Sequence, residues 1–543
     1  MAESEIRTAD QVASALKSNG VSYLFGIPGG GSSIDLIEAC HRQDIPFVLV
    51  QHETTAAMMA VVVGELTETC GACISIMGPG ATNLVSGALY AQLERHALLC
   101  FTETYGPAAG PLTSMQNIDH ADMFGPLSKA SICITASDPA HQIDNAIGIA
   151  TAERPGAVHI DLPIAPGPGS CSPQTDSALI EPNHPAVVDG DLEAIAGAID
   201  RAEKPLLVAG PVVHRQGANH HLLSLAERLQ TAVVVTSKAR GVIPEDHPLY
   251  AGVLCGVYGE GTLEADLISR SDLVVAVGLD RTELLSPWKH RQPLICIDAI
   301  PIADEQTVGK PAHTATGPLP ELLEALAGQV QARDTWSKAE IADYWTDAML
   351  QLGAASPEMN ATNVLVRARQ MTPRDAILTT DAGVYGRVNL FAWKVYDPST
   401  CFDSSGTNTM GFSIPAGLAG SLVRPGQKTV CLVGDAGFLM RCGELETAIR
   451  MKLTPVIVVF NDATLGMIRI KQRQKEYARE GVDLAETDFA RLAESFGAVG
   501  SEVHTLGEFE TAFGAALQSD RLHVIDVRVD PDVYAGHIRP IRG

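Results

Sequence analysis

The sequence has no uninterrupted apolar run of the roughly 18–20 residues needed to cross a bilayer, so no membrane helix is expected. Basic residues are also scarce: 39 Lys and Arg stand against 64 Asp and Glu, a formal net charge of −25. That argues against a nucleic-acid partner, which normally meets a basic face. The acidic balance reports chiefly on solubility. The first residues, M-A-E-S-E-I-R, are acidic and carry no hydrophobic signal core, which points to a cytoplasmic protein. Cysteine pairing is missing from the pattern. Cys70 and Cys73 form a C-x-x-C, yet no second pair follows at zinc spacing, and the total of 11 is odd. The thiols are therefore expected to be reduced and structural, mostly inside apolar runs such as those around Cys100, Cys296 and Cys431. No G-x-G-x-x-G with an acidic ribose ligand downstream is found, so a dinucleotide fingerprint is unsupported. No segment repeats another by identity, although the first and last thirds share an α/β rhythm.

What is present is abundant core-forming sequence. In 543 residues, 46% are hydrophobic and 19% charged, which suits a globular protein of about three or four domains. Short apolar, β-branched runs alternate with helical spans throughout, the pattern of buried parallel strands. The most informative stretch is 430–467. Val430–Val433 and Val456–Phe460 read as strands, and Leu439–Lys452 between them reads as a helix. Each strand ends in a carboxylate, Asp435 and Asp462, 27 positions apart. Ligands bind at the carboxyl ends of strands in open parallel sheets. Two hard oxygen donors beside the turn G-D-A-G suit a magnesium ion holding a diphosphate, or else two solvated strand-end aspartates.

Three further strings stand out in the first third. Val21–Phe25 is a short strand followed by Pro28-Gly29-Gly30-Gly31, whose glycines permit either close approach of backbone to a ligand or a plain tight turn. Phe47–Val50 is a strand ending at His52-Glu53, where Glu53 opens a helix and suits its dipole. S-I-M-G-P-G-A-T-N, carrying Gly78 and Asn83, is another strand, glycine turn and helix start. Gly156–Pro163 adds one more strand. Residues 164–185 are rich in Pro, Ser and Gly and read as a linker. Leu206–Gly210, Ala232–Ser237, Leu273–Gly278 and Leu294–Asp298 are the strands of a second unit, and Gln329–Gly353 is a second connection. Ala376–Thr380 begins a third.

These strings, in this order, resemble those of thiamine-diphosphate enzymes of the acetolactate synthase and 2-oxo acid decarboxylase group. G-D-A-G-F followed by N-D resembles their Gly-Asp-Gly … Asn-Asn signature, with Asp462 where Asn is usual. F-G-I-P-G-G, G-P-G-A-T-N and T-N-T-M-G-F-S-I-P-A-G (407–417) match further family strings. The resemblance implies an α/β protein of three doubly wound parallel-sheet domains: 1–170 binding the pyrimidine, 186–328 central, and 355–543 binding the diphosphate. It implies Mg2+ held by Asp435, Asp462 and the Thr464 carbonyl. Glu53 would activate the cofactor by a hydrogen bond to pyrimidine N1′. Gly30 and Gln116 would stand near the reacting carbon. Cofactor contacts would come from Pro28, Gly29, Glu53, Gly78 and Asn83. Others would come from Ala382, Gly383, Val384 and Tyr385, and from the Asn408 carbonyl. Met410 would be the wedge that bends the cofactor. Gly434 to Gly437, with Asp435 and Ala436 between them, and Asp462, Thr464, Leu465, Gly466 and Met467 complete the set.

Departures from the family pattern are equally readable. Val384-Tyr385 replaces Gln-His, Met115 replaces Phe, and Lys471 stands where tryptophan is common. Lys471 either pairs with an anionic substrate or is a solvated lysine. Lys129 matches a family lysine and reads equally as a solvated one. The strand ends V-G-L-D-R and I-D-A-I-P show no clear flavin pattern, which leans against FAD and leaves it open. The implied site lies between two subunits, in a homodimer or homotetramer. The implied reaction is decarboxylation of a 2-oxo acid with carboligation to a second carbonyl. Its alternatives are cleavage of a 2-hydroxy ketone or 2-hydroxyacyl compound, simple decarboxylation, and a non-catalytic cofactor-binding homologue.

Overall fold

A computed structural model describes residues 7–106, 112–164, 189–256, 261–284, 286, 288–301 and 309–542. The expected linker at 164–185 lies almost wholly outside these residues. Three sheets organise the chain. The first holds β1 (Leu24–Gly26), β2 (Phe47–Leu49), β3 (Gly71–Ser75), β4 (Leu98–Tyr105), β5 (Ala130–Cys133) and β6 (Ala157–Ile164), in the order β2-β1-β3-β4-β6-β5. The second holds β7 (Asp189–Gly190), β8 (Pro205–Ala209), β9 (Ala232–Thr236), β10 (Tyr250–Leu254), β11 (Leu273–Val277), β12 (Leu294–Asp298) and β13 (His313–Thr316), in the order β10-β9-β8-β11-β12-β13-β7. The third holds β14 (Ile377–Thr380), β15 (Cys401–Phe402), β16 (Thr429–Gly434), β17 (Val456–Asn461), β18 (Val499–Val503) and β19 (His523–Arg528), in the order β15-β14-β16-β17-β19-β18.

All pairings are parallel except the short edge pair β13–β7. Parallel strands need covering on both faces, and the central strands are accordingly buried along nearly their whole length. The first and third sheets have the same strand order, 2-1-3-4-6-5 in each sheet's own count. The rhythm shared by the two ends of the sequence is thus a duplicated topology. In that order the winding reverses between the first and third strands, which opens a crevice at their carboxyl ends. In the third sheet the crevice lies beyond β14 and β16, where residues 381–385 and 434–437 emerge.

The expected helix 439–452 is broken in two, Asp435–Arg441 and Glu444–Met451. The chain forms two compact bodies. One contains 1–183 together with 414–426 and 441–453; the other contains 184–413, 427–440 and 454–543. Within the first body the segment 441–453 is tied to the end of β2: Glu444 accepts from Gln51 N at 3.1 Å, and Arg450 donates to Leu49 O at 2.6 Å. Within the second, buried Arg240, paired with Glu245 at 2.8 Å, also donates to Asn389 Oδ1 at 3.0 Å, joining the second sheet to the third. Among the described residues, nine cysteines are free thiols. Cys133 is disulfide-bonded, against the expectation of a fully reduced set; an odd count guarantees one free thiol and says nothing about a single pair. No helix among the described residues is long and apolar enough to cross a membrane.

Candidate active site

The crevice of the third sheet is a cavity of about 600 Å³. Its wall begins at β14. The helix α1 (Val384–Ala392) starts directly after Asp381, Ala382 and Gly383. Asp381 is buried and accepts from Gly411 N and Ser413 N, each at 2.6 Å, which fixes the loop that carries Asn408 and Met410. Helix α2 (Asp435–Arg441) starts directly after β16. It passes so close to Asp381 that a Cβ on Gly437 would lie 2.3 Å from its carboxylate. The opposite wall is the turn after β17 and helix α3 (Gly466–Gln474). The roof is helix α4 (Tyr534–Arg542).

Every cofactor residue expected between 382 and 467 lines this one cavity. Asp435 and Asp462 meet there. Burial pushes the Asp435 carboxyl above its ordinary range. Asp462 is pushed up to about 7, first by burial and then by the negative charge of Asp435. Asp435 Oδ1 accepts from Ala436 N at 2.6 Å, while its Oδ2 is buried with no hydrogen-bond partner. Ala463 has φ +53°, a left-handed conformation rare for a residue with a side chain, and the turn it makes is tight. Thr464 N donates to Asp462 Oδ1 at 3.0 Å, and the Thr464 carbonyl accepts from Gly466 N at 2.9 Å. An orphaned buried carboxylate oxygen, a second carboxyl repelled by the first and a nearby carbonyl make a set of hard oxygen donors that suits a divalent cation.

Several lining residues were not anticipated: Arg387, Phe460, Ile468, Tyr534 and Arg542. Tyr385, in place of the family histidine, is buried and stacks on Phe460 with ring centroids 4.8 Å apart. Burial pushes its pKa up and keeps its hydroxyl neutral. Tyr534 is fully buried over Gly466, where a Cβ would meet its ring at 3.2 Å, and its hydroxyl faces Asp462. It lies 72 positions beyond Asp462 and belongs to no motif, so only proximity in the fold reveals it. Lys471 lines the cavity with its side chain exposed.

The remaining expected residues lie in the other body. Glu53 is buried at the first turn of the helix Glu53–Thr67, and its Oε2 accepts from Asn83 Nδ2 at 3.0 Å. A Cβ on Gly80 would lie 3.2 Å from Glu53 Oε1. Gly78 has φ +68° and packs on Gln116, so the turn before helix Pro79–Glu94 requires glycine. Glu53, Gly78, Asn83 and Gln116 are thereby gathered. Pro28 and Gly30 are exposed, and a Cβ on Gly30 would meet nothing within 4 Å. The close approach made by the neighbouring glycines is to the protein itself. Gly31 N and Ser33 N donate to the buried Glu103 carboxylate at 3.0 and 2.8 Å, and a Cβ on Gly29 would lie 2.3 Å from it. Lys129 donates to Ala152 O at 2.7 Å. It is a half-buried structural lysine whose pKa burial lowers to about 8.

A second polar cluster in this body went unnoticed in the sequence. Gly78 N donates to His120 Nε2 at 3.3 Å, and His120 Nδ1 meets Asp161 Oδ1 at 2.9 Å. Thr102 Oγ1 bridges Asp161 Oδ1 and His159 Nε2, each at 2.8 Å, and Ser131 Oγ reaches His159 Nδ1 at 2.7 Å.

Comparison with known proteins agrees with this architecture. Residues 6–123 match the model of the N-terminal TPP binding domain of thiamine pyrophosphate enzymes, 192–326 that of the central domain, and 381–527 that of the C-terminal TPP binding domain. An acetolactate synthase large subunit of Parasynechococcus marenigrum is 30% identical over 96% of this chain and 88% of its own length. A probable acetolactate synthase large subunit of Methanococcus aeolicus is 28% identical over 98% and 93%. An acetolactate synthase of Bacillus subtilis is 27% identical over 96% and 93%. Together with a cavity at the switch point of the third sheet, these matches identify the chain as a thiamine-diphosphate-dependent enzyme, transferase or lyase in type, of the acetolactate synthase-like family.

Proposed function

We propose that this enzyme decarboxylates a 2-oxo acid and joins the remaining acyl unit to a second carbonyl, with thiamine diphosphate and Mg2+ bound in the cavity of the third sheet. The observation that carries the reading is the pair Asp435 and Asp462, two mutually repelling carboxyls with an orphaned oxygen between the turns that line the cavity. Asp435, Asp462 and the Thr464 carbonyl would hold the metal, which would neutralise the diphosphate. The backbone of 382–385 and 434–437 would receive the phosphate oxygens. Met410, half-buried on the cavity wall, would press between the two rings. When bound, thiamine diphosphate accepts the electron pair released as carbon dioxide departs and makes the acyl carbon a nucleophile.

Glu53 would hold the proton at the pyrimidine ring nitrogen, with its carboxylate oriented by the Asn83 amide. Gln116 would orient the substrate. Domains 1–170, 186–328 and 355–543 would bind the pyrimidine, contribute the central sheet and bind the diphosphate. Glu53 of the partner subunit would serve each cavity, so a homodimer is the smallest active assembly and a homotetramer is two such pairs. A cytoplasmic location and the absence of FAD remain part of the reading; visible absorbance of the purified protein reports flavin directly.

One observation favours a second reading. Tyr385 and Lys471 replace residues usual in acetolactate synthases, so cleavage of a 2-hydroxy ketone, or release of an aldehyde without ligation, is the alternative. A screen of 2-oxo acids and acyloins with cofactor and Mg2+, followed by carbon dioxide release and product mass, separates them. Carbon dioxide with a condensed 2-hydroxy product is expected. Glu53→Gln is expected to lower turnover by about 100-fold or more; turnover equal to that of the unaltered enzyme would refute the role given to Glu53.

A further inference from the structure

Among the described residues, the cavity holds two guanidiniums with no acid paired to them. Arg387 lies on α1 and Arg542 in the last turn of α4, and these two helices pack against each other. Arg387 donates to the Asn408 side-chain carbonyl, a neutral partner. The Arg542 side chain has no ion-pair partner among the described residues, and its Nε is buried without a hydrogen-bond partner. The carboxylate of Asp403, near Arg387, is engaged by Ser237 Oγ and by Ser405 N at 3.1 Å. The cavity's own acids, Asp435 and Asp462, belong to the metal-donor set described above.

Two like charges in a partly dry pocket repel each other and lose hydration, and their combined cost lowers the Arg542 pKa to about 10. The carbonyl end of α4 offsets only part of that cost. Planar guanidinium forks are matched by oxyanions, which they bind with paired hydrogen bonds. A bound oxyanion would satisfy the orphaned Nε and remove the repulsion together.

We propose that Arg387 and Arg542 form a binding site for an oxyanion group, a phosphate, carboxylate or sulfonate, inside this cavity. The group has two possible sources. One is the diphosphate of the cofactor. The other is a second acidic group on the substrate, which would make the substrate class a 2-oxo acid with an additional anionic terminus. The first source rests on the cofactor placement proposed above, and the second on the proposed reaction as well.

Isothermal titration tests both. Inorganic pyrophosphate is titrated into the cofactor-free enzyme, and malonate and acetate into the enzyme loaded with thiamine diphosphate and Mg2+. The variants are Arg387→Gln and Arg542→Gln, with Arg539→Gln, exposed on the same helix, as control. Thermal midpoints check that each variant is folded. Arg387→Lys and Arg542→Lys are expected to recover part of the affinity by restoring charge. Loss of pyrophosphate affinity by about ten-fold or more in both test variants, and not in the control, assigns the site to the cofactor. Unchanged pyrophosphate binding with a similar loss for malonate, and little for acetate, assigns it to the substrate. Wild-type affinity for both ligands in both variants overturns the proposal, as does failure of the unaltered enzyme to bind either. An enzyme that refuses thiamine diphosphate yet binds pyrophosphate through these arginines would sink the proposed function and leave this site standing.

Discussion

His159 shows what burial does to a single residue. Its imidazole is fully enclosed, stacked on Phe124 at 4.3 Å and bonded at both nitrogens. Gly78 N–H can only donate, so His120 Nε2 accepts and its Nδ1–H points to Asp161. Thr102 then donates to Asp161, His159 Nε2–H to Thr102, and Ser131 to His159 Nδ1. The whole chain of bonds is satisfied with both rings neutral. Burial pushes the His159 pKa down to about 4, against about 6.5 unfolded. The unfolded chain therefore binds the extra proton first. The stability that this neutral ring contributes is complete above about pH 6.5 and is lost as pH falls towards 4, a loss of up to about 3 kcal/mol. In urea unfolding, the advantage of the native protein over His159→Gln should shrink as pH is lowered through that window. An advantage independent of pH would refute the buried neutral ring. Gly437 makes a second case. A methyl group there would collide with the Asp381 carboxylate that holds Gly411 N and Ser413 N. Gly437→Ala should cost about 3 kcal/mol in urea unfolding and weaken cofactor binding at the same time.

At the scale of elements, the short strands were readable because a parallel strand buried on both faces must be apolar along its length. Leu294–Asp298 was bounded to the residue, and Ala232, Phe47 and Val456 were placed as strand starts. The two edge strands of the third sheet were not readable. β15 is two residues long, and β18, V-G-S-E-V, is mostly half-exposed, so neither carries an apolar run. The break between Asp435–Arg441 and Glu444–Met451 falls at Cys442-Gly443, where the glycine, a poor helix former that caps the second helix, was the one local signal and was passed over. Helix ends follow local rules more faithfully. Thr505 and Glu508 form a reciprocal capping box at the start of Leu506–Gln518, with Glu508 Oε2 accepting from Thr505 N at 3.1 Å. Thr505→Ala should lower stability by about 1 kcal/mol and leave catalysis unchanged. A larger loss, or an effect on turnover, would mean that this helix is coupled to the site.

For the whole molecule, the testable question is assembly. If Glu53 of the partner subunit completes each cavity, two inactive variants should rescue each other. Glu53→Gln and Asp435→Asn, mixed and allowed to exchange subunits, would give hybrids with one intact site of two. Random pairing then restores about a quarter of native activity. No recovery after exchange, verified by mass, would place both residues of a working site on one chain. The residues of the candidate site were legible wherever chemistry sits in a contiguous string at the end of a strand: Glu53, G-P-G-A-T-N, G-D-A-G and N-D. By itself the sequence determined the α/β class, the parallel strands and these donor groups, because hydrophobic period and turn chemistry are local properties. Only the tertiary structure decided that Gly29 and Gly31 close on Glu103, that Tyr534 covers Asp462, and that Arg387 and Arg542 share a cavity. Those relations join residues tens to more than a hundred positions apart, and they are created by packing of strands and helices, which no local pattern encodes.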